Sequence, residues 1–284
     1  MNPNQNQNPN THEKYENLKN LLKSYGSLAV AFSGGVDSTF LLKTARDVLG
    51  DNDSNSDGVI AVTARLRFVP ERELNEAINF CEKEKITHLF CDIEELKIDG
   101  VAQNPPNRCY LCKNVILSKI KQTVEPYNIK YIADGTNFDD DINDRPGFKA
   151  ITEHGVKSPL RDTGFTKSEI RELSKELGLP TWDKPSFACL ASRFPYGEEI
   201  TEKKLGMVDK AEQLLIDLGF TQFRVRIHGT IARIEVNPRE FSKITAPEIS
   251  GAICDGLNLY GFTHATLDLR GYNYKGSPKT IPKI

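Results

Sequence analysis

The feature that most constrains this chain is a glycine-rich stretch at residues 33–39, with the sequence SGGVDST. It follows the apolar residues 28–32 and precedes a helical pattern that starts near Asp37. Two consecutive glycines let the backbone turn sharply with its N–H groups pointing inward, and the N-terminus of the following helix adds partial positive charge. The stretch therefore predicts a phosphate-binding loop. The alternative is a glycine-rich turn in which Asp37 or Ser38 only caps a helix.

The loop differs from a Walker A loop, because no lysine follows the glycines until Lys43. Its SGGxDS pattern resembles the PP-loop of ATP pyrophosphatases. That resemblance implies that ATP is cleaved between its α- and β-phosphates, that the loop holds the pyrophosphate, and that AMP is left on an acceptor. The residues expected to bind ATP here are Ser33, Gly34, Gly35, Asp37 and Ser38.

Composition argues against several classes of protein. The 284 residues carry a net charge of −2, which gives no general attraction to nucleic acid or to an anionic membrane. No apolar run approaches the roughly 20 residues that span a bilayer, and the N-terminus does not resemble a signal peptide. Without a secretion signal, the six cysteines predict thiols or metal ligands rather than disulfides. We expect a cytoplasmic protein with neither a nucleic acid nor a membrane partner.

Strands and helices alternate along the first two thirds of the chain. The predicted strands cover residues 27–32, 59–62, 87–93 and 130–133, and the predicted helices include 70–85, 108–124 and 167–177. This alternation implies a parallel sheet with helices on both faces and ligands at the carboxyl ends of the strands. The expected fold class is α/β, with a Rossmann-like parallel sheet followed by a smaller C-terminal α+β domain.

The pattern changes near residue 197. Beyond it we predict a helix at 202–218, a hairpin of strands 223–227 and 231–236, a helix at 244–257 and a strand at 266–269. Asn, Gln and Pro dominate the N-terminal residues, which predicts a disordered tail. The expected divisions are a tail at 1–12, a PP-loop domain at 13–197 and a substrate or oligomerisation domain at 198–284.

Cys109 and Cys112 lie near the start of a predicted helix, on one face, so both sulfurs could reach one metal. Arg108, Lys113 and the helix N-terminus all favour thiolate over thiol. Packing of Cys112 in the core explains the pair equally well, because Cys112 shares an apolar stripe of that helix. Cys189 is different, since it lies in the irregular segment 185–197, with the sequence PSFACLASRFPYG.

With this segment the chain resembles the LarE family, ATP-dependent sulfur transferases that make the nickel-pincer nucleotide cofactor of lactate racemase and related enzymes. The resemblance covers nearly the whole chain and rests on five stretches, residues 33–38, 107–112, 134–140, 145–147 and 185–197. It implies adenylation of a carboxylate of pyridinium-3,5-biscarboxylic acid mononucleotide, followed by replacement of AMP with sulfur. Two rounds give the bis-thiocarboxylate.

Family members with one cysteine, at the position of Cys189, surrender its sulfur and are consumed. This sequence departs from that pattern, because it keeps Cys109 and Cys112 and so resembles three-cysteine members that depend on iron and sulfur. Three thiolates can hold three irons of a 4Fe-4S cluster and leave the fourth open for a hydrosulfide. The resemblance thus implies ATP, Mg²⁺ and a 4Fe-4S cluster, with these three cysteines as catalytic and metal-binding residues. Their sequence spacing alone neither supports nor excludes convergence.

Zinc is the competing metal, although a structural zinc site normally has four protein ligands and no fourth is obvious. The remaining cysteines, Cys81, Cys91 and Cys254, are expected to be small apolar core residues.

Other polar residues join the expected site. Asp134 follows the fourth strand and is the preferred magnesium ligand. By resemblance, Thr63 faces adenine, and Arg65 contacts nucleotide or substrate. Residues Arg224 and Arg226 share one strand face and suit the substrate phosphate, although an exposed charged face explains them equally well.

Arg193, four residues after Cys189, is expected to be a cofactor-binding residue and to affect activity more than stability. Sulfide or another sulfur donor and a homo-oligomeric partner complete the expected interactions.

The alternative functions are sacrificial transfer from Cys189, PP-loop tRNA thiolation, and a nonenzymatic nucleotide or metal sensor. An ammonia-using amidotransferase is disfavoured because no glutaminase domain fits in this length.

Overall fold

A computed structural model describes residues 10–50, 58–141 and 146–272, which divide into two units. Of the described residues, the first unit takes 10–50, 58–66, 71–93, 109–141 and 146–186, and the second takes 67–70, 94–108 and 187–272. No described helix combines the length and apolar character needed to cross a membrane.

The first unit is built on a four-stranded sheet in the order β3-β2-β1-β4, with every pair parallel. The strands are β1 (Leu28–Ala31), β2 (Val59–Arg65), β3 (Thr87–Asp92) and β4 (Tyr131–Ala133). Strands β1 and β2 are almost continuously apolar, as is typical of parallel strands covered on both faces. This confirms the α/β fold class.

Within the described ranges, seven α-helices accompany the sheet in chain order. They are α1 (Thr11–Tyr25), α2 (Val36–Leu49), α3 (Glu71–Glu84), α4 (Arg108–Val124), α5 (Pro146–Glu153), α6 (Pro159–Asp162) and α7 (Lys167–Glu176). Helix α2 contributes Phe40, Leu41 and Leu42 to the core without exposure. Helix α2 is therefore buried on most of its circumference, and its N-cap Gly35 places the glycine loop directly before it.

The second unit carries a separate sheet in the order β5-β6-β7. Its elements are α8 (Glu202–Asp217), β5 (Phe223–His228), β6 (Ile231–Val236), α9 (Phe241–Ile244), α10 (Pro247–Tyr260) and β7 (His264–Leu267). Strands β5 and β6 form the expected antiparallel hairpin, whereas β7 lies parallel to β6. The helix expected at 244–257 is two helices, because Pro247 opens a new one at its N-terminus.

The division of the chain differs from the boundary expected at residue 197. Irregular segments far apart in sequence join the second unit through hydrogen bonds, such as Leu190 N to Phe68 O (2.8 Å) and Gly197 N to Asn104 O (3.0 Å). Loops of this kind carry no periodic signal in the sequence. At the N-terminus, α1 begins at Thr11 with Asn10 as its cap, within the expected tail; the rest of that tail lies outside the described residues.

Candidate functional site

The glycine loop leads from β1 directly into α2. Gly34 has φ +69°, a conformation that favours glycine, and Gly35 is the N-cap of α2 with no side-chain capping bond. The first-turn N–H groups of α2 thus have no side-chain cap, and the helix dipole adds positive potential there. This arrangement suits a phosphate.

Two serine hydroxyl groups form hydrogen bonds within the glycine loop. The Ser38 hydroxyl donates to Gly35 O (3.2 Å) and lies 3.1 Å from the Ser33 hydroxyl. Ser33 N also donates to Ser38 Oγ at 3.4 Å. The loop residues expected to bind ATP therefore form one small connected structure.

Asp37 lies in the first turn of α2, and its two carboxylate oxygens have different surroundings. Its Oδ2 pairs with Lys167 Nζ at 2.5 Å. Its Oδ1 is buried and has no hydrogen-bond partner within the described part of the chain. Burial raises the pKa of Asp37, while Lys167 opposes that rise. A buried, unused carboxylate oxygen beside a phosphate loop can accept a cation.

Asp134 lies where the sequence predicts, directly after β4. A methyl group built on the adjacent Gly135 would lie 2.9 Å from Ser38 N, so this loop approaches the start of α2 closely. Asp134 accepts hydrogen bonds from the hydroxyls of Thr136 (2.7 Å) and Ser158 (2.8 Å). Lys113 Nζ lies 3.5 Å from its Oδ2. Much of its acceptor capacity is thus already used within the protein.

Thr63 lies inside β2, not after it, because the strand continues to Arg65. Its hydroxyl donates to Phe32 O (2.8 Å), so it accepts from His88 Nε2 at 2.7 Å. Burial, and then the charge of Arg65, lower the pKa of His88 to about 4. Thr63 thus anchors the residue before the glycine loop, a role that the sequence did not indicate.

Arg65 has its own partners at the end of β2. Its guanidinium lies 4.1 Å from the centre of the Phe90 ring and 3.6 Å from Asp92. A guanidinium held in this way can also stack against the flat ring of a ligand.

Cys109 and Cys112 lie in the first turn of α4, as predicted, with Cys109 exposed and Cys112 half-buried. They belong to the first unit, whereas the half-buried Cys189 belongs to the second. The described residues contain no group of three or more His, Cys, Asp or Glu arranged to hold a metal ion. The partial exposure of Cys112 gives little support to the core interpretation.

Three arginines hold the segment that carries Cys189. Arg193 Nη1 donates to the carbonyls of Ala188 (2.7 Å) and Cys189 (3.3 Å). Arg108 donates to the carbonyl of Ala191, which lies in the same segment as Cys189, at 3.0 Å. Arg226 donates to Ser192 O, also at 3.0 Å. The backbone around Cys189 is therefore fixed by charged donors.

The partners of these arginines were not predicted. Arg193 forms a bidentate ion pair with Glu212, and Arg226 pairs with Glu235 at 2.6 Å. Glu212 lies on the apolar face of α8. A carboxylate within an apolar stripe is the one feature of the sequence that could have indicated this buried ion pair. Because Arg193 is buried and ion-paired, we expect its charge to matter to stability as well as to activity.

The predicted alternation of β5 is confirmed, because Phe223, Val225 and Ile227 are buried while Arg224 and Arg226 lie on the half-buried face. Arg224 donates to Phe223 O (2.7 Å), and burial, then the charge of Arg193, lower its pKa.

The other cysteines divide into two groups. Cys81 and Cys91 are buried core residues as expected, and burial raises their pKa values to about 12 and about 11. The expectation for Cys254 is wrong, because this residue is exposed on α10. Its neighbours Ile253 and Leu257 supply the buried face of that helix instead.

Comparison with known proteins gives the family. No family model matches the chain. An uncharacterized protein of Synechocystis is 39% identical over 259 residues, which cover 91% of this chain and 94% of that protein. More distantly, a glutamine-hydrolyzing GMP synthase component of Thermoplasma volcanium is 25% identical over 264 residues, 87% of this chain and 78% of that protein.

The informative relative is the pyridinium-3,5-bisthiocarboxylic acid mononucleotide synthase of Lactiplantibacillus plantarum. It is 34% identical over 262 residues, which cover 92% of both chains. That coverage includes the glycine loop and the cysteine segments together. The chain therefore belongs to the LarE family, within the PP-loop superfamily of ATP-dependent enzymes.

Proposed function

We propose that this enzyme uses ATP to adenylate the carboxylates of pyridinium-3,5-biscarboxylic acid mononucleotide and converts them to thiocarboxylates, in the synthesis of a nickel-pincer nucleotide. The observation that carries the proposal is the similarity over 92% of both chains to a synthase named for this product. An uncapped phosphate loop and an anchored cysteine segment on the same chain support it.

Adenylation uses the first unit. The loop amides and the hydroxyls of Ser33 and Ser38 bind the phosphates of ATP. A substrate carboxylate oxygen attacks the α-phosphorus, and the bond to the bridging oxygen breaks as pyrophosphate leaves with the electron pair. The product is an acyl-adenylate. The donors of the loop stabilise the departing pyrophosphate, because its charge increases in this step.

Magnesium fits the residues beside the loop. Asp37 offers a buried carboxylate oxygen with no described hydrogen-bond partner, and hard cations prefer such oxygens. Asp134, the ligand preferred from sequence, is already engaged by Thr136 and Ser158. We therefore assign Asp37 as the first magnesium ligand and Asp134 as a residue that orients the adjacent loop.

Sulfur transfer follows at the acyl carbon. A sulfur nucleophile attacks this carbon, and AMP leaves with the electrons of the broken carbon–oxygen bond. In the sacrificial route the nucleophile is Cys189 Sγ. Loss of the Cys189 Cα proton then breaks its Cβ–S bond and leaves dehydroalanine on the protein.

We propose that Cys109, Cys112 and Cys189 are the ligands of a 4Fe-4S cluster, as the resemblance to the three-cysteine family members implies. Thiolates are the usual ligands of such clusters, and none of the three is buried in the manner of Cys81 or Cys91. When bound, the cluster would supply the transferable sulfide at the iron that lacks a protein ligand.

The second unit recognises the substrate. Arg224 and Arg226 present guanidinium groups on one strand face, and such groups bind phosphate through paired hydrogen bonds. Arg193 holds the Cys189 segment through its bonds to Ala188 O and Cys189 O. We further propose a cytoplasmic homo-oligomer that takes sulfide or another donor and binds no nucleic acid.

The test is anaerobic purification, cluster reconstitution with iron and sulfide, and turnover with ATP and the proposed mononucleotide. AMP, pyrophosphate and thiocarboxylate are the expected products, and their absence would favour a sensor. Visible absorbance and iron content should fall in Cys109→Ala, Cys112→Ala and Cys189→Ala, but not in the exposed control Cys254→Ala. Loss of one H₂S from Cys189 per turnover, detected by mass spectrometry, would instead establish the sacrificial route.

A further inference from the structure

We propose that Lys184 positions the glycine loop for phosphate binding, by holding the Gly34 carbonyl so that the Gly35 N–H faces the ligand. Lys184 Nζ donates to Gly34 O at 3.2 Å across 150 residues of sequence. The inference rests on the ATP-binding role proposed above and adds a positioning residue to it.

Peptide geometry connects the lysine to the ligand. In a trans peptide the C=O of one residue and the N–H of the next point in opposite directions. The described residues contain no cis peptide bond. A bond that fixes Gly34 O toward Lys184 therefore turns Gly35 N–H away from the lysine. If this peptide rotated, a carbonyl oxygen would replace an N–H donor at the anion site.

The Gly34–Gly35 peptide needs such a restraint because glycine permits many backbone conformations. Helix α3 closes one side of the loop, since a methyl group built on Gly34 would lie 3.3 Å from Ala77 Cβ and 3.5 Å from Glu73 O. That contact limits where the loop can move. It does not select the direction of the Gly34 carbonyl, which is the task that the lysine performs.

The charge of Lys184 is maintained by two carboxylates of α3. Its Nζ lies 2.8 Å from Glu73 Oε2 and 2.6 Å from Glu76 Oε2. Burial acts to lower the pKa of Lys184, but the hydrogen bonds and the negative charges of the two glutamates together outweigh it, and the pKa is raised. The lysine thus remains an ammonium group with several donors, enough for both glutamates and the carbonyl.

The backbone of Lys184 is itself anchored. Arg171 on α7 donates to Trp182 O and to Lys184 O, each at 2.6 Å. Lys184 N donates to Thr181 O at 3.1 Å. A fixed backbone reduces the entropy lost when the side chain is held in place.

The experiment compares Lys184→Met with Lys184→Arg and with a matched control, Lys43→Met. Lys43 also bridges two carboxylates, Asp47 (2.7 Å) and Glu84 (3.0 Å), and links α2 to α3, but it has no bond to the loop. Inorganic pyrophosphate is the binding probe, measured by calorimetry, because its binding needs neither substrate nor sulfur. ATP kinetics provide the second measurement.

We expect Lys184→Met to weaken pyrophosphate binding and raise KM for ATP by about ten-fold, the size of one lost hydrogen bond to a charged group. At saturating ATP, kcat should change less than about three-fold, because the chemistry lies elsewhere. Lys184→Arg should recover most of the affinity, and Lys43→Met should leave it unchanged. Unchanged pyrophosphate affinity in Lys184→Met, or a loss confined to kcat, would overturn the proposal.

Two further measurements separate the remaining explanations. Because Lys184→Met leaves the Glu73 carboxylate buried without its cation, Lys184→Met/Glu73→Gln should restore stability while binding remains weak. The amide NMR signal of Gly35 should shift with pyrophosphate in the native protein and not in Lys184→Met. A retained shift with weaker binding would mean that the lysine itself contacts phosphate. Failure of the native protein to bind ATP or pyrophosphate would contradict the proposed function instead.

Discussion

Arg193 and Glu212 form a bidentate ion pair in the second unit, with Nε–Oε1 and Nη2–Oε2 distances of 2.8 and 2.9 Å. Their side chains are 0% and 1% exposed. The remaining nitrogen of Arg193 donates to the Cys189 segment. The buried side chain of Arg193 therefore links helix α8 to the backbone around Cys189, the proposed sulfur-transfer residue.

Arg193→Met should lower the free energy of unfolding by about 3–5 kcal/mol, because it leaves the buried Glu212 carboxylate without its cation and with only the Val225 N–H as a hydrogen-bond donor. Denaturant unfolding measures this loss. The double variant Arg193→Met/Glu212→Leu should lose less than the sum of the single variants, since no unpaired charge remains.

The matched control is Lys97→Ala, because Lys97 and Glu94 form an ion pair with side chains 74% and 73% exposed. This change should cost less than about 0.5 kcal/mol. If Arg193→Met abolished sulfur transfer while stability fell no more than in the control, Arg193 would have a direct catalytic role.

Gly135→Ala should impair ATP binding as well as stability. The added methyl would lie 2.9 Å from Ser38 N and 3.2 Å from Asp37 Cβ, so the loop after β4 must move away from the start of α2. Overpacking of this kind costs about 1–3 kcal/mol. Thermal unfolding and KM for ATP are the measurements.

Gly206→Ala provides the control, because a methyl there has no atom within 4 Å. Gly206 lies inside α8, where alanine should stabilise the helix by about 0.5–1 kcal/mol. Equal behaviour of the two variants would show that the close approach at Gly135 is unimportant.

Thiol labelling should divide the six cysteines by exposure. In cluster-free protein, iodoacetamide should modify Cys254 and Cys109 first, because both are exposed. Cys81 and Cys91 should react only after unfolding, since burial raises their pKa values to about 12 and about 11. Peptide mapping with and without denaturant measures the order.

Reconstitution with iron and sulfide extends the labelling test. Cluster binding should protect Cys109, Cys112 and Cys189 while Cys254 remains reactive. Protection of Cys254, or continued labelling of Cys109 in protein that has bound a full complement of iron, would argue against the proposed ligand set.

Much of the fold follows from local pattern. The apolar runs of β1 and β2 and the glycines between β1 and α2 are short-range signals, and they correctly predict a parallel sheet with a glycine loop at its carboxyl edge. Register and periodicity report which face of an element is buried. They do not report which distant side chain lies against it.

The residues missed by sequence analysis depend on that long-range information. Lys184 reaches Gly34 across 150 residues, and Lys167 reaches Asp37 across 130. Arg193 looks like a functional arginine in sequence because Cys189 is near, yet its partner Glu212 comes from a different helix. Buried ion pairs join elements whose packing no single stretch of sequence specifies.

The acid stability of the protein should depend on His88. Burial and Arg65 lower the pKa of this histidine from 6.5 to about 4. Between these values an unfolded chain binds a proton that the folded protein does not, so folding stability should fall as pH decreases from about 6.5 to about 4. One proton limits the slope to about 1.4 kcal/mol per pH unit.

Replacement of His88 by glutamine should flatten this dependence, since an amide can donate to Thr63 Oγ1 without titrating. His12→Gln is the control, because the His12 side chain is 72% exposed. Denaturant midpoints measured across this pH range test the prediction, and identical slopes in native protein and His88→Gln would contradict it.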